Sequence, residues 1–170
     1  AANGVIYDVT SGSATTLTTY GGPGTEPVAF EEVDGTIYAS NLYWCGTITE
    51  AGEYAAWGIS QPNVPVVSAS ASGNLPAGTY HVVLTNISGD LVGGASAIAR
   101  ITLTTTGGIA ISNVGTAHAW VTEPNGSEFF YIGCVPLVAQ ITSAEPLPTL
   151  LCHPPLPTEH ICYAFGRMWG

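Results

Sequence analysis

Segments with the two-residue alternation of β-strands recur along this chain every eight to twelve residues, and tight-turn sequences separate them. Residues 97–103 show the pattern most clearly, because every second side chain from Ala97 to Leu103 is apolar and falls on one face of an extended chain. No window keeps the apolar period of an α-helix. Residues 51–57 are the one helix candidate, as a single turn or a loop. The sequence therefore predicts an all-β fold.

Turn chemistry supports this prediction. Asp34-Gly35 and Asn125-Gly126 are dipeptides that two-residue β-hairpin turns prefer, since both central residues must take positive φ. Each dipeptide lies between two strand-like segments, so we expect a hairpin at each position. At Asn125-Gly126 the expected turn is type I′.

The spacing of these signals predicts three regions. Residues 1–60 contain short hairpins, and two prolines at 62 and 65 mark an extended linker. Seven short strands at about 63–145 predict an immunoglobulin-like or fibronectin type III-like β-sandwich, although the Cys-Trp-Cys spacing of an antibody domain is missing. Residues 146–170 hold five further prolines and read as a Pro-rich connector followed by the start of a further strand.

Charge limits the partners. Only 8% of the residues are charged, none is Lys, and the formal net charge is −10. Two arginines cannot neutralise enough phosphates to bind nucleic acid, and anionic membrane surfaces are excluded for the same reason. No stretch approaches the roughly 20 apolar residues of a membrane-spanning helix. Other proteins, cations or neutral sugars remain as partners.

No sequence motif for catalysis is present. The chain has no nucleophile elbow, phosphate-binding loop or dinucleotide fingerprint, and without Lys it cannot form a Schiff base. Glu31, Glu32 and Asp34 cluster near one turn, but they are too few for a calcium loop and read as a solvated acidic tip. We therefore predict a protein that is not an enzyme and has no catalytic residue, cofactor or metal.

The four cysteines leave alternatives open. Cys152 and Cys162 bracket a Pro-rich segment that could fold back, so they form one possible disulfide, with Cys45 and Cys134 as the second. Free buried thiols are the other interpretation. A structural zinc site made of Cys152, His153, His160 and Cys162 has the right ligand types, but its spacing is irregular and it is less favoured.

Aromatic residues are dense between residues 38 and 57. Five lie within these twenty positions: Tyr38, Tyr43, Trp44, Tyr54 and Trp57. Flat apolar rings suit stacking on a sugar or docking of a protein. A small core where the first hairpins pack on the sandwich explains the same density and is favoured, with Tyr43, Trp44, Tyr54 and Trp57 kept as possible contact residues.

Three blocks of sequence, in this order, resemble large tail-associated structural proteins of tailed bacteriophages and prophages. The blocks are residues 33–44 with 57–62, residues 74–85 with 93–96, and residues 154–157 with 166–169. Such proteins carry propeller-like strand repeats interrupted by a fibronectin-like insert. This chain is poorer in charge, richer in Cys and lacks later propeller repeats.

The resemblance implies blade-like hairpins flanking the sandwich and a structural role in a virion, as a tail, nozzle or fibre-associated protein. The partners would be other virion subunits or copies of the same chain. A carbohydrate-binding or adhesive module of a secreted or cell-surface protein is the alternative. Neither end of the sequence looks natural, so the chain is expected to be part of a longer polypeptide.

Overall fold

The structure, a computed structural model, describes residues 4–9, 12–19, 24–149, 151–164 and 167–169. Within these ranges it contains seventeen strands, paired antiparallel, and no helix. The predicted all-β class is therefore confirmed. The chain divides into two compact units, the first made of residues 1–57 and 154–170 and the second of residues 58–153.

Numbered along the chain, the strands are β1 (Val5–Asp8), β2 (Thr15–Thr19), β3 (Ala29–Val33), β4 (Thr36–Asn41), β5 (Trp44–Thr49), β6 (Tyr54–Ala56), β7 (Val67–Leu75), β8 (Gly78–Thr85), β9 (Ile87–Ser88), β10 (Leu91–Val92), β11 (Ala99–Leu103), β12 (Gly107–Ile111), β13 (His118–Thr122), β14 (Phe129–Gly133), β15 (Leu137–Val138), β16 (Cys162–Ala164) and β17 (Arg167–Trp169).

A four-stranded sheet, β3-β4-β5-β6, forms the centre of the first unit. Its first turn is the predicted hairpin at Asp34-Gly35, where both residues have positive φ (49° and 76°), as a type I′ turn requires. Hairpins β1-β2 and β16-β17 complete the unit. Residues 51–57 contain strand β6 and no helical turn, because residues 54–56 pair with β5 as the sheet's edge. The helix candidate was wrong.

The two faces of this sheet carry different residues. Paired residues of an antiparallel sheet point to the same side, and successive residues along a strand alternate. The pairs Ile37–Ile48 and Ala39–Gly46 therefore share one face, and Ile6 of β1 packs on it. We call this the hairpin face. The opposite face carries Tyr38, Ser40, Cys45 and Thr47.

The end of the chain returns to that opposite face, which we call the return face. Three hydrogen bonds hold residues 155–163 there: Thr158 N–H to Ser40 Oγ (3.0 Å), the Cys45 thiol to the Pro155 carbonyl (3.5 Å), and Tyr163 N–H to Glu31 Oε1 (3.2 Å). The first unit is thus built from the two ends of the described chain.

The second unit is a β-sandwich. One layer has the order β11-β8-β13-β14 and the other β15-β12-β7, with the small hairpin β9-β10 beside them. Alternate residues of both layers meet in one core, whose largest members include Tyr80, Leu84 and Ile109. Trp120 is buried as well, and its indole N–H donates to Thr85 Oγ1 at 2.8 Å, so its polar atom is satisfied.

Within the predicted class, the order of the strands is a finding of its own. In an immunoglobulin domain the second strand pairs with the first and the fifth. Here β8, the second long strand of the unit, pairs with β11 and β13, and β7 pairs with β12 in the other layer. The sandwich layers are as predicted, and the path of the chain between them differs from the immunoglobulin arrangement.

Two local features differ from expectation or could not be read from sequence. The Asn125-Gly126 turn is not type I′: Asn125 alone has positive φ (61°) and Gly126 N–H donates to Glu123 O, so Pro124 and Asn125 are the central residues of a type II turn. In strand β12, Gly108 lies so close to β7 that a Cβ there would overlap the Ser72 carbonyl oxygen.

The two ends of the second unit meet. Ile59 N–H donates to the Cys152 carbonyl (3.0 Å), and Cys152 N–H donates to Val92 O (2.8 Å). The second unit is therefore an insertion within the sequence of the first. Relative to the three predicted regions, the linker at 62–65 and the first part of the Pro-rich segment belong to the second unit, and the segment from residue 154 belongs to the first.

Candidate functional site

The sheet of the first unit separates the predicted contact aromatics. Trp44 and Tyr54 lie on the hairpin face, because they are paired or alternate with Gly46 and Ile48. The ring of Trp57 lies on the return face, against Tyr38. The predicted aromatic cluster is thus two pairs on opposite sides of one sheet, which sequence spacing alone cannot distinguish.

Trp44 and Tyr54 are packed together over a glycine. Their rings stack with centroids 5.8 Å apart, and the Trp44 indole N–H donates to the Tyr54 hydroxyl at 3.1 Å. A Cβ at Gly46 would lie within 2.6 Å of Tyr54 Cε2, so the absent side chain gives the rings their place. Trp44 also joins the apolar cluster around Ile48. Trp44 therefore packs against the core of the first unit, whereas Tyr54 is 38% exposed.

Tyr43 has a different position. It lies with Leu42 in the turn between β4 and β5, and both side chains are about half exposed. Its N–H donates to Asn41 Oδ1 at 2.9 Å, which fixes the turn. Tyr43 is accessible, but it belongs to neither aromatic pair.

The return face contains an open cleft of about 300 Å³. Two tryptophans, Trp57 and Trp169, and a Pro-rich segment line it. We call it the aromatic–proline cleft, and its lining residues are Trp57, Pro155, Leu156, Pro157, Thr158, Ile161, Met168 and Trp169. Among the lining residues that the structure describes, none is charged. The side chain of Leu156 is 88% exposed and that of Trp169 53% exposed.

This cleft can bind by apolar contact. Aromatic side chains lining a groove recognise extended or Pro-rich peptides, and a flat ring can also stack on the apolar face of a sugar. The Thr158 hydroxyl donates to the His160 carbonyl at 3.3 Å, so the chief polar side chain in the lining already has a partner. The chemistry therefore favours a protein surface over a heavily hydrogen-bonded ligand.

Of the residues lining this cleft, sequence reasoning had named only Trp57 as a possible contact residue, and it missed Leu156, Ile161, Met168 and Trp169. These residues lie more than ninety positions after Trp57 in the sequence. They line the same cleft as Trp57 because the chain returns to the first unit after the inserted second unit. The density of Pro and aromatic residues near the end of the chain was the available signal. Nothing in the local pattern connects that segment to Trp57.

All four cysteines are free thiols in the structure, so neither of the two suggested disulfides is formed in it. Each suggested pair joins one unit to the other: Cys45 and Cys162 belong to the first unit, Cys134 and Cys152 to the second. Burial raises the pKa of the Cys45 thiol above its ordinary value, because the thiolate would lose its hydration. Pairing in the mature protein stays a prediction.

The residues considered for zinc are also divided between the units. Cys152 and His153 belong to the second, and His160 and Cys162 to the first. In the part of the chain that the structure describes, no three His, Cys, Asp or Glu side chains form a group that could hold a metal ion. His153 instead lies against the backbone of Gly94 in its own unit.

One polar pair in the sandwich was not predicted. His118 Nδ1 and the Tyr131 hydroxyl are 2.6 Å apart, their rings stack, and Tyr131 also meets the edge of Trp120. Both side chains are partly buried. The pair joins strands β13 and β14, so it stabilises the sheet.

Comparisons with known proteins supply no identification, because no family model, no curated protein and no solved structure matches this chain. Among the described residues, no helix is long and apolar enough to cross a membrane.

Proposed function

We propose that this chain is a structural subunit of a phage-like virion, a tail, nozzle or fibre-associated protein that acts through protein–protein contacts. The observation that carries the proposal is the aromatic–proline cleft, where uncharged side chains line an open groove and Leu156 stands almost fully exposed beside it. Such an arrangement is costly to leave in water and is typical of a surface that another molecule covers.

The scarcity of charge supports the same proposal. A protein that is packed permanently against neighbours must desolvate every charged group at the contact, and such groups lose much of their hydration energy. With 8% charged residues, this chain has few groups that would oppose packing. We expect the partners to be other virion subunits or copies of the same chain, and the location to be the virion.

The arrangement of the units is in keeping with the resemblance to phage tail-associated proteins. A sandwich at residues 58–153 interrupts a unit whose central sheet has four antiparallel strands, the number found in a propeller blade. In this proposal, the sandwich corresponds to the fibronectin-like insert and the four-stranded sheet to a propeller blade.

Self-association of the full chain tests it. By sedimentation velocity we expect concentration-dependent oligomers, in which each contact buries more than roughly 1,000 Å². Leu156→Ser should weaken them, since it replaces an exposed apolar side chain beside the cleft. Leu91→Ser is the matched control, because Leu91 is 56% exposed but lies in the second unit. A chain that remains a stable monomer at high concentration counts heavily against the proposal.

The second candidate is a carbohydrate-binding or adhesive module of a secreted or cell-surface protein. Two tryptophans at an open cleft, Trp57 and Trp169, favour it, because indole rings stack on sugars. Binding on a glycan array that is lost in Trp57→Ala and kept in Trp44→Ala would support this candidate. Trp44 is the control because its ring lies on the other face of the sheet.

A further inference from the structure

The hairpin face contains a second, larger cavity of about 550 Å³. It opens between the β1-β2 hairpin and the sheet β3-β4-β5-β6, within the first unit. Apolar side chains form its floor and walls, chiefly Ile6, Leu17, Phe30, Ile37 and Ile48. Its volume is in the range of small-molecule and peptide side-chain pockets. We call it the acidic cavity because of the groups at its edge.

The floor of the acidic cavity is the core of the first unit. Ile6 and Ile48 are almost fully buried and belong to the unit's apolar cluster, with Leu17 and Ile37 packed beside them. Phe30 rises from this floor and is still 45% exposed. An apolar side chain entering the cavity would therefore extend an existing core and cover the ring of Phe30, which is favourable in proportion to the area removed from water.

Three carboxylates stand at the edge of the cavity. Asp8 comes from the end of β1, Glu32 from β3, and Glu50 from the turn after β5. Glu32 is paired with Ile37 on the hairpin face, and Glu50 reaches the type I′ turn, where its Oε2 atom would lie 3.8 Å from a side chain placed at Gly35. Three separate elements thus bring negative charge around one apolar opening.

The charge of the chain decides which occupant fits. The chain contains no Lys, and one of its two arginines, Arg100, belongs to the second unit. A second copy contains no Lys and only two Arg to pair with these carboxylates, so it matches the acidic edge poorly. A segment of another protein with an apolar side chain and flanking basic residues fits better. Its apolar side chain would contact the apolar floor, and its basic residues would pair with the carboxylates.

We propose that the acidic cavity binds a segment of a different protein, in which an apolar side chain enters the cavity and flanking Lys or Arg residues pair with Glu32 and Glu50 at its edge. The attraction between these charges orients the segment and speeds its association. This partner goes beyond the proposed contacts at the aromatic–proline cleft, which is on the other face of the sheet.

The test uses the full chain and a blocked hexapeptide, Arg-Leu-Phe-Leu-Arg-Lys, as the probe in isothermal titration calorimetry. We expect saturable binding with one peptide per chain at about 50 mM salt, and binding at least tenfold weaker at about 500 mM, where screening shortens the range of the charges. The double variant Glu32→Gln/Glu50→Gln should weaken binding about tenfold, as expected for the loss of two exposed ion pairs.

Matched controls separate the cavity from general attraction to an acidic protein. Glu123→Gln/Glu128→Gln removes the same charge from exposed positions of the second unit and should change the affinity less than about twofold. Phe30→Ala should also weaken binding about tenfold, and Leu156→Ala, at the cleft, should leave it unchanged. A peptide with Glu in place of its basic residues should not bind.

Absence of binding, equal losses in both double variants, or equal binding of the Glu-substituted peptide would each overturn the proposal. Self-association that depends on Phe30 would also overturn it, because the occupant would then be a second copy. The outcome is independent of the proposed function: cleft variants change the oligomeric state, and cavity variants change capture of the basic peptide.

Discussion

The two units of this chain differ in how completely they bury their apolar side chains. The second unit has one core of eleven buried residues that both layers of the sandwich share, whereas the described core of the first unit has three. The first unit also contains both the aromatic–proline cleft and the acidic cavity. The larger described core thus lies in the second unit, and the two openings on which our proposals rest lie in the first.

Removal of the chain end should have the largest effect. In a chain ending at residue 153, we expect the first unit to lose its folded structure, since residues 155–163 are hydrogen-bonded to the return face, whereas the second unit keeps its own stability within about 0.5 kcal/mol. Hydrogen exchange measured by mass spectrometry reports each unit separately.

The isolated segment 58–153 is the control for this truncation and should show the same exchange rates as the second unit in the full chain. Protected amides in β3, β4 and β5 of the truncated chain would contradict the expected dependence.

Substitution of one buried isoleucine in each unit compares the stability of the two cores directly. Ile109→Ala in the sandwich should cost about 3–4 kcal/mol, because the surrounding core cannot close the space that the side chain leaves. Ile48→Ala in the first unit should cost about 2 kcal/mol, because Ile48 already borders an open cavity. Urea unfolding followed by hydrogen exchange measures the loss in free energy of unfolding for each variant. Equal losses in the two variants would remove the distinction between the units.

Substitution of one glycine in each unit tests how easily the neighbouring atoms can move to accept a methyl group. Gly108→Ala places a methyl group against backbone carbonyls of β7 and β15, which cannot move independently, so we expect a loss of about 3 kcal/mol. Gly46→Ala places it against the Trp44 and Tyr54 rings, which can shift, so about 1 kcal/mol is expected. A larger loss for Gly46 than for Gly108 would show that the aromatic pair is the more rigid site.

The smallest effect concerns thiol reactivity. Because burial raises the pKa of Cys45, less thiolate is present at a given pH, and alkylation at about pH 8 should be at least tenfold slower at Cys45 than at the exposed Cys134. Raising the pH should accelerate Cys45, and any stability that its protonated form contributes is lost as the pH rises through the raised pKa.

Mass spectrometry of the alkylated peptides under reducing and non-reducing conditions measures the thiol rates. Similar rates at Cys45 and Cys134 would contradict the prediction. Absence of any free thiol would show instead that the suggested disulfides form.

Sequence predicted the class of the fold because strand periodicity and turn chemistry are local. The Asp34-Gly35 hairpin is an example, since both residues tolerate positive φ. Strand β6 was not predicted because only residues 54–56 form it. A segment of three residues is too short to show the alternation that identifies a strand. The type II turn at Asn125 depends on Pro124, which fixes the first central φ at a negative value.

The candidate sites depend on pairings that are distant in sequence. Glu32 and Glu50 meet at one cavity only because β3, β4 and β5 pair in a particular register. Trp57 meets Trp169 only because the chain returns after a long insertion. A shift of one residue in the pairing of β3 with β4 would move Glu32 to the opposite face of the sheet.

The hydrogen bond between Ile59 and Cys152 has a consequence for how such a protein can diversify. Because the two termini of the sandwich are neighbours, the chain of the first unit is interrupted over a distance no greater than a tight loop would span. Another module with adjacent termini could take its place, or the module could be lost, without altering the strand order of the sheet of the first unit. Exchange of the module and change of the residues that line the cleft or the cavity can therefore proceed separately.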